Sequence, residues 1–425
     1  MEKINIGVIG CGTVGTHFIK TFTKKRKNFF EKTGIKFEIV KVCDKDEKKR
    51  KIFPHLFTDN PYEIINDPKI DIVVELIGGV EEAFSYLKNA INNKKSIITA
   101  NKALLSEKGE EIFGLVEKNK VYIGFEASVA GAIPIIKTLK ESFIGNKVSK
   151  LLGILNGTTN FILSQMTNYS MEFKYALSIA QKNGYAEQNP YLDISGLDSA
   201  HKLSILAKFA FNKSISWKEI MVEGIEKVEK MDIDFAKEFG YRIKLLAISK
   251  KTNESLEMRV HPTLLPENHL LSLVENVYNG IYLEGDLIGK SLLYGEGAGG
   301  YAAASSVISD VIEIGIKLYE KNYKFIKFLE NEKLKLLPPS EICTKYYFRF
   351  TAIDKPLVLA KISKILGENC ISIASVIQKK ENPEKSVPIV MLTHAAKEKQ
   401  VNNALKIIDK LDVIRKPTIK IRVEE

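Results

Sequence analysis

The chain has 425 residues, of which 45% are hydrophobic and 27% are charged, and its formal net charge is +11. This length predicts two or three domains, and the composition excludes a disordered, collagen-like or disulfide-scaffold protein. The basic excess indicates either a polyanionic partner or a lysine-rich surface. Because the sequence has no basic stripe with interleaved aromatic residues, we expect no nucleic-acid partner.

The four cysteines are scattered along the chain, and no histidine stands beside any of them at zinc-ligand spacing. A disulfide framework and a zinc site are therefore not expected. No uninterrupted apolar run approaches the ~18 residues of a membrane helix, and no cleavage site follows the apolar N-terminal stretch. These features predict a cytoplasmic protein without membrane contact.

The first 125 residues alternate short β-branched runs with amphipathic stretches. Strands are expected at residues 4–9, 37–42, 72–76, 96–99 and 121–125, and a helix at residues 14–27. This alternation predicts a parallel sheet with crossover helices.

From about residue 134 the pattern changes to longer helices mixed with strands, which predicts a second, α+β domain. Ser170 is expected to cap the N-terminus of a helix that ends before Gly184, and a further helix is expected over residues 302–319. Residues 320–344 are rich in lysine and end in Pro338-Pro339-Ser340, which is typical of a linker.

Beyond residue 345 the predicted order is strand, helix, strand, strand, helix, strand. The segments are 346–353, 356–366, 371–378, 388–394, 398–411 and 418–423. This order is that of the ferredoxin-like βαββαβ unit.

A glycine motif, Gly10-x-Gly12-x-x-Gly15, directly follows the first predicted strand and opens a helix. In that context it indicates dinucleotide binding, because glycines let the backbone approach a pyrophosphate at a helix N-terminus; a plain glycine-rich turn is the alternative. Asp44 ends the second strand, where an acid binds the ribose hydroxyls of NAD. The basic residues at 45–50 could instead neutralise the 2′-phosphate of NADP, or be a solvated turn. The cofactor is therefore NAD(P), with its form left open.

A second group of charged residues lies between residues 187 and 202. Asp198 and Lys202 are four residues apart and share one helix face, while Glu187 and Asp193 belong to the preceding loop. The alternative is a surface ion pair worth a few tenths of a kcal/mol. If Lys202 is half-buried beside its apolar neighbours, its pKa is lowered, as a lysine general acid or base requires.

Lys102 follows the predicted strand 96–99 in the nucleotide-binding half. Ligands of open α/β sheets bind just outside such strand ends. Lys102 therefore either meets the substrate or the nicotinamide, or begins a surface helix.

Seven motifs in the first 320 or so residues together resemble homoserine dehydrogenase. They are GCGTVG from Gly10, ELIGG from Glu75, TANKALL from Thr99, EASVAGAIPII from Glu126, NGTTNFI from Asn156, GYAEQNPYLDISGLDSAHK from Gly184 and GEGAGG from Gly295. The last eighty or so residues look like an ACT domain, the amino-acid-sensing module often appended to this enzyme. No aspartokinase-like segment is present, so the resemblance is to the monofunctional form.

The resemblance implies NAD(P)-dependent interconversion of L-aspartate 4-semialdehyde and L-homoserine, on the route to threonine and methionine. It implies an α/β architecture: a Rossmann-type nucleotide-binding domain, an inserted α+β catalytic domain and a C-terminal ferredoxin-like (ACT) domain. The expected boundaries are 1–133 with about 300–322, then 134–299 for catalysis and dimerisation, 323–344 for the linker and 345–425 for the ACT domain. Relatives of this family also imply a homo-oligomer.

The resemblance also assigns site residues. Lys202 is the expected proton donor, Lys102 is expected to hold the reacting oxygen, and Glu187 to bind the substrate ammonium group. Asp193 and Asp198 are expected to hold the polar end of the substrate, together with Gly157 and Thr158. The implied cofactor-binding residues are Gly10, Gly12, Thr13, Val14, Gly15, Asp44, Thr99, Lys102 and Gly297. A sodium ion is implied at the backbone carbonyls of Glu126, Val129, Gly131 and Ile133.

The chain departs from the family pattern at three places. Cys43 stands where many relatives have an arginine, which weakens a 2′-phosphate clamp and keeps NAD open. Tyr301 and the two alanines after it replace a Pro-Thr pair, although the helix start is expected to persist. Leu357 replaces the glycine of the first ACT loop, where its side chain would crowd an effector, so weak or absent threonine inhibition is expected. The alternative function is a non-catalytic, NAD(P)-binding amino-acid sensor.

Overall fold

The computed structural model describes residues 3–321, 331–379 and 386–425. Its N-terminal part is a parallel sheet with the strand order β3-β2-β1-β4-β5-β6. The strands are β1 (Lys3–Ile9), β2 (Lys36–Cys43), β3 (Phe57–Thr58), β4 (Ile72–Glu75), β5 (Ser96–Thr99) and β6 (Ile123–Gly124). The helices are α1 (Thr13–Thr33), α2 (Tyr62–Ile65), α3 (Glu81–Asn92) and α4 (Lys102–Asn119). The predicted parallel sheet is confirmed, although β6 is shorter than the strand expected at 121–125.

Helix α1 is longer than its sequence pattern predicts. Its apolar face buries Phe18 and Phe22, and it continues past the basic run at 24–27, which is exposed to solvent. Gly34 ends it in the left-handed conformation (φ 72°) and donates a backbone hydrogen bond to Phe30. The basic run is therefore the solvated side of a continuing helix, and not its end.

The middle of the chain forms a mixed sheet with helices on one face. Its strands are β7 (Val148–Ile154), β8 (Met221–Val222), β9 (Tyr241–Thr252), β10 (Ser255–Pro266), β11 (Tyr278–Gly285) and β12 (Gly289–Glu296). Its helices are α5 (Ile135–Lys137), α6 (Gly157–Tyr169), α7 (Phe173–Lys182), α8 (Tyr191–Ile194), α9 (Leu197–Phe211) and α10 (Lys230–Glu238). The prediction for Ser170 is wrong: this residue ends α6 in the left-handed conformation (φ 53°), and Glu172 precedes α7. A serine side chain can cap the N-terminus of a helix, but α6 extends as far as Ser170, so this residue ends α6 and does not begin α7.

The chain then returns to the N-terminal sheet through α11 (Gly300–Tyr319). Buried side chains of α11, including Val307 and Val311, share a core with Phe18 and Phe22 of α1. Gly315 allows a close approach, because a Cβ there would collide with the ring of Phe37. The helix start expected after the glycine-rich segment persists, beginning at Gly300.

The C-terminal part has the predicted order of strand, helix, strand, strand, helix, strand. Its elements are β13 (Lys335–Leu336), β14 (Cys343–Ile353), α12 (Val358–Glu368), β15 (Ile373–Ile377), β16 (Ser386–Thr393), the short β17 (Ala396–Lys397), α13 (Glu398–Ile408) and β18 (Ile414–Val423). The antiparallel strands lie in the order β18-β14-β16-β15.

This sheet is continuous with that of the middle part. Strand β18 pairs in parallel with β10 through Thr263 with Arg422 and Leu264 with Val423, giving the order β12-β11-β7-β9-β10-β18-β14-β16-β15. Of the expected linker, 323–330 lies outside the described residues. In its remainder, β13 pairs with Ser255 and Leu256 of β10, so residues 335–336 are part of the sheet and not a free linker.

Two properties of the chain concern its environment. Among the helices of the described residues, none combines the length and the apolarity that crossing a membrane requires. All four cysteines have free thiols; Cys11 and Cys43 are buried, whereas Cys343 and Cys370 are exposed.

Candidate active site

The glycine-rich turn leaves the N-terminus of α1 open. Gly12 stands at the N-cap, no side chain caps the first turn, and a Cβ on Gly12 would meet no atom within 4 Å. Gly10 (φ 106°) and Gly15 instead permit close packing, because a Cβ on Gly10 would lie 2.6 Å from the Leu76 carbonyl and one on Gly15 would collide with the Gly10 carbonyl. Thr13 and Val14 form the first turn. The free N–H groups and the positive end of the helix dipole fit a pyrophosphate.

Asp44 connects the end of β2 to this turn. One of its carboxylate oxygens accepts a hydrogen bond from the Cys11 N–H (2.5 Å) and the other accepts one from the Asp46 N–H (2.8 Å). Lys45, the first of the basic residues that follow, pairs with Glu82 at the start of α3 (2.8 Å). Asp44 therefore lies beside the dinucleotide turn, while Lys45, the lysine next to it in the sequence, already forms an ion pair.

A buried network orders the carboxyl ends of β4 and β5. Glu75 is fully buried; it accepts hydrogen bonds from the Thr99 hydroxyl (2.6 Å) and from the Ile77 N–H (2.8 Å), and burial raises its pKa. The Asn101 amide donates to the Gly79 carbonyl (2.5 Å), and its oxygen caps α4 by accepting from the Leu104 N–H (3.1 Å). The Thr99 side chain thus shapes the sheet edge from inside, and Lys102 is fixed as the first residue of α4.

Two lysines from different parts of the chain converge on one carboxylate. Lys102 Nζ lies 2.5 Å from Asp198 Oδ1, and Lys202 Nζ lies 2.7 Å from Asp198 Oδ2. Lys202 also donates to the Leu155 carbonyl at the end of β7 (2.6 Å). The Lys102 side chain is 43% exposed, whereas that of Lys202 is 10% exposed and that of Asp198 is 3% exposed. The sequence indicated the Asp198–Lys202 pair, but Lys102 joins it only in the fold.

Asn156 aligns the two aspartates. Its amide nitrogen donates to Asp193 Oδ1 (2.7 Å) and to Asp198 Oδ2 (2.9 Å), while its oxygen caps α6 by accepting from the Thr159 N–H (2.8 Å). Asn156 was not among the site residues expected from the sequence. The available signal was its place as an N-cap residue directly before Gly157 and two threonines.

The two lysines have opposite pKa shifts. Burial is the largest influence on Lys202 and lowers its pKa, although the charge of Asp198 opposes this. Burial also disfavours charge on Lys102, but Asp198, Asp193 and Glu187 outweigh it and raise the pKa. For Asp198, burial is outweighed by the ammonium groups of both lysines, which hold its pKa well below the usual range. Lys202 is therefore the better proton donor, and Lys102 is the more permanent positive charge.

The remaining predicted substrate residues lie around this centre. Glu187 is exposed at the rim, close enough for its charge to act on Lys102. Asp193 is half-buried, and burial raises its pKa. Gly157 begins α6, where a Cβ would lie 2.7 Å from the Val277 carbonyl, and the Thr158 hydroxyl donates to the Tyr185 carbonyl (2.6 Å). The start of α6 is thus tied to the segment that carries Glu187.

The segments that cross between the N-terminal and middle parts pack tightly. Gly297 fits against the amide of Asn279, with which a Cβ would collide, and a Cβ on Gly131 would lie 2.7 Å from the Gly297 carbonyl. The Glu126 carboxylate accepts from the N–H groups of Ile136 (2.8 Å) and Lys137 (2.9 Å). Its side chain therefore anchors the turn that the resemblance assigns to sodium. In the described part of the chain, no cluster of three or more His, Cys, Asp or Glu side chains could hold a metal ion.

A buried lysine with a lowered pKa meets a lysine with a raised pKa that follows β5 of the sheet carrying the glycine-rich turn. This arrangement suits hydride transfer at a carbonyl carbon, where a developing oxygen charge must be stabilised and then protonated. Fold and site together define a nicotinamide-dependent oxidoreductase.

Comparison with known proteins specifies the family. The family profile described as "Homoserine dehydrogenase" matches residues 134–312, and the one described as "Homoserine dehydrogenase, NAD binding domain" matches residues 10–126. The chain belongs to the homoserine dehydrogenase family. It is 43% identical over 423 residues to the homoserine dehydrogenase of Helicobacter pylori and 40% identical over 431 residues to that of Neisseria gonorrhoeae; each alignment covers 100% of this chain and 99% of the relative.

Solved structures agree with this assignment. The homoserine dehydrogenase from Thiobacillus denitrificans superimposes with a TM-score of 0.94 at 38% identity and covers 100% of this chain and 99% of its own. A hyperthermophilic archaeal homoserine dehydrogenase in complex with NADPH has a TM-score of 0.64 at 25% identity and covers 77% of this chain and 100% of its own. These matches do not favour the alternative of a non-catalytic sensor.

Proposed function

We propose that the chain interconverts L-aspartate 4-semialdehyde and L-homoserine with NAD(P), using the Lys102–Asp198–Lys202 cluster. The observation that carries this proposal is one buried carboxylate ion-paired with two ammonium groups that have opposite pKa shifts, one of them on Lys102 directly after β5 of the sheet that carries the dinucleotide turn. Bound NAD(P)H would supply the hydride that reaches the aldehyde carbon.

The chain's own residues handle the charge on the reacting oxygen. Lys102 stabilises the oxygen as its negative charge develops, because its raised pKa keeps it protonated. Lys202 donates the proton that completes the alcohol, because burial favours its neutral form. In the oxidative direction neutral Lys202 accepts that proton. Asp198 holds the two ammonium groups at its two carboxylate oxygens and orients both.

The loop before α9 binds the rest of the substrate. Glu187 at the rim attracts the ammonium group of the amino acid, and Asp193 and Asp198, aligned by Asn156, hold its polar end. The start of α6 at Gly157 and Thr158 offers backbone N–H groups to the carboxylate. One end of the substrate thus meets acids and the other a helix N-terminus, which suits a zwitterion.

Gly10, Gly12, Gly15 and the first turn of α1 hold the pyrophosphate of either NAD or NADP, and Asp44 governs the choice between them. Its carboxylate favours the free ribose hydroxyls of NAD and repels a 2′-phosphate. Two observations support NADP as a cofactor as well. Lysines follow Asp44 in the sequence, and an archaeal relative is solved in complex with NADPH.

A sodium ion at residues 126–133 stays a prediction. The Gly131 carbonyl already accepts a hydrogen bond from the Ser306 hydroxyl (2.7 Å), and that of Ile133 accepts one from the Ile135 N–H (2.8 Å). Half of the expected carbonyl ligands are thus engaged, which fits a hard cation poorly. No step of the reaction is routed through it.

The C-terminal part is proposed to be an ACT domain that serves assembly more than effector binding. Its βαββαβ order supports the assignment. Leu357, 73% exposed and in the left-handed conformation (φ 71°), lies directly before α12, where a glycine would leave the backbone open to an effector. A homo-oligomer and a cytoplasmic location stay predictions from the sequence.

A spectrophotometric assay with L-homoserine and each nicotinamide tests the proposed function. Reduction of NAD or NADP that depends on homoserine is expected. Binding of the nucleotide without turnover would contradict the proposal and would favour the non-catalytic, NAD(P)-binding amino-acid sensor.

A further inference from the structure

We infer that Arg422, in the last strand of the C-terminal part, is a positioning residue for the substrate loop at 190–198 and acts on it through Glu223. This inference rests on the proposed function, because it assigns a support to the loop that holds Asp193 and Asp198. It extends the site to a residue that contacts neither substrate nor cofactor.

Arg422 is fully buried and holds Glu223 with both ends of its guanidinium group. Its two terminal nitrogens donate to the Glu223 carboxylate at 2.8 and 2.9 Å. On its other side it donates to Glu398 at the start of α13 at 2.6 and 2.8 Å. A planar donor fork fixed by two carboxylates has little freedom to turn, so the position of Glu223 is set by the C-terminal part.

Glu223 belongs to a segment that packs directly under the substrate loop. Its N–H donates to the Val260 carbonyl (2.8 Å), which continues the pairing of β8 with β10. Two residues later, the Ile225 N–H donates to the Ile194 carbonyl (2.9 Å) at the end of α8. Between them Gly224 lies so close to the loop that a Cβ would collide with the Ile194 carbonyl oxygen and lie 2.8 Å from the Ser195 Cα.

The loop in turn carries the aspartates. Asp193 lies within α8, and Gly196, in the left-handed conformation (φ 85°), starts α9 and so sets the direction of Asp198. A Cβ on Gly196 would lie 3.1 Å from Val222 Cγ1 and 3.4 Å from the Glu223 carbonyl. Residues 222–224 are packed against the loop without free space between them, so any movement of these residues toward the loop must displace it. Asn156 would then lose its alignment with both carboxylates.

A second buried arginine provides a matched control. Arg349 of β14 also joins the C-terminal part to the middle part. It donates two hydrogen bonds to Asp232 of α10 at 2.6 and 3.0 Å and lies 3.1 Å from the carboxylate of Glu229, directly before α10. Its partner helix packs near the far end of α6, beside Thr167 and Asn168, and not against the substrate loop. Loss of either pair should weaken the attachment of the C-terminal part, but only loss of the Arg422 pair should disturb the substrate site.

The test compares Arg422→Lys, Glu223→Gln and Arg349→Lys in the full-length chain. The first two are expected to raise the KM for homoserine about fivefold or more, with the KM for the nicotinamide cofactor unchanged. Arg422→Lys loses the two-nitrogen contact with Glu223, and Glu223→Gln loses the carboxylate charge. Arg349→Lys is expected to lower the Tm without changing the homoserine KM. If Arg422→Lys does not fold, the KM of Glu223→Gln tests the inference by itself. That variant is expected to fold, because the Glu223 side chain is 39% exposed and an amide has nearly the same shape as a carboxylate.

An unchanged homoserine KM in Glu223→Gln, or an equal rise in Arg349→Lys, would overturn the inference. Asp193→Asn separates this failure from failure of the proposed function. If Asp193→Asn raises the homoserine KM and Glu223→Gln does not, the loop role stands and only the positioning role is wrong. If Asp193→Asn has no effect, the proposed substrate loop itself is wrong.

Discussion

Asp198 and Lys202 lie one turn apart on α9, with their charged atoms 2.7 Å apart in a site almost closed to solvent. Burial lowers the pKa of Lys202, and the charge of the Asp198 carboxylate opposes this shift. The proposed function makes this pair a tuned proton donor, and replacement of either residue tests that role.

Replacement of Lys202 with methionine should lower kcat by roughly a hundredfold or more, because general acid–base catalysis contributes that much. Binding of the nicotinamide cofactor, followed by its fluorescence, should be unchanged, because the buried Lys202 ammonium group contacts Asp198 and the Leu155 carbonyl and not the glycine-rich turn of α1. Lys208→Met, at a buried lysine of the same helix, is the matched control and should keep its turnover. Near-normal kcat in Lys202→Met would rule out the proton-donor role.

Replacement of Asp198 with asparagine should move the alkaline limb of the pH profile for aldehyde reduction to lower pH. Reduction needs protonated Lys202, and the charge of Asp198 raises the Lys202 pKa, so its removal lets Lys202 lose its proton earlier. A shift of about one pH unit or more is expected from one contact ion pair. Asp193→Asn, whose influence on Lys202 is smaller, should shift the limb less. A limb that stays in place would show that Asp198 does not tune Lys202.

Replacement of Asp44 with asparagine should raise the ratio of kcat/KM for NADP to that for NAD by about tenfold or more, whichever cofactor the native chain prefers. The amide oxygen can still accept the hydrogen bond from the Cys11 N–H of the glycine turn, while the bond from the Asp46 N–H and the charge that repels a 2′-phosphate are both lost. Initial rates with both nucleotides measure the ratio. An unchanged ratio would place the selectivity elsewhere.

Lys244 should make the free energy of unfolding depend on pH in the alkaline range. Its ammonium group donates to the Val274 carbonyl (2.5 Å) and to Asn160 (3.2 Å), and burial lowers its pKa to about 8. Between pH 8 and the ordinary value of 10.5 the unfolded chain binds more protons than the native protein, so stability contributed at this site rises with pH.

Urea unfolding of the native chain and of Lys244→Met from pH 7 to 10.5 measures this contribution. The native curve should rise relative to that of the variant across the window. Lys290→Met, at an exposed lysine of β12, should leave the pH dependence as it is. Parallel curves for the native chain and Lys244→Met would contradict the lowered pKa.

Threonine should inhibit the native chain weakly or not at all. Leu357 fills the position before α12, and its left-handed backbone costs about 1–2 kcal/mol for an L-residue. Leu357→Gly removes both the side chain and the strain, so threonine sensitivity is expected to increase in this variant. Titration of threonine into the homoserine assay measures both chains, and strong inhibition of the native chain at low millimolar threonine would refute the prediction.

Local patterns in the sequence determined the elements of this protein. The glycine turn from Gly10, the shared helix face of Asp198 and Lys202 and the C-terminal βαββαβ order all depend on spacing within a short stretch, because strand and helix periodicities act over a few residues. The family motifs carried the activity for the same reason, since each motif is contiguous. Where a local signal had two uses, as for the capping side chain of Ser170, the sequence could not decide which helix it served.

Only the tertiary structure decided which distant residues meet. It brought Lys102 to Asp198, gave Asn156 its place between two aspartates and joined β18 to β10, because such contacts depend on how whole elements pack. It also decided the direction of each pKa shift, since burial and the neighbouring charges arise only in the folded chain. In the folded chain the pKa of Lys102 is raised and that of Lys202 is lowered, which is the difference that their proposed roles require.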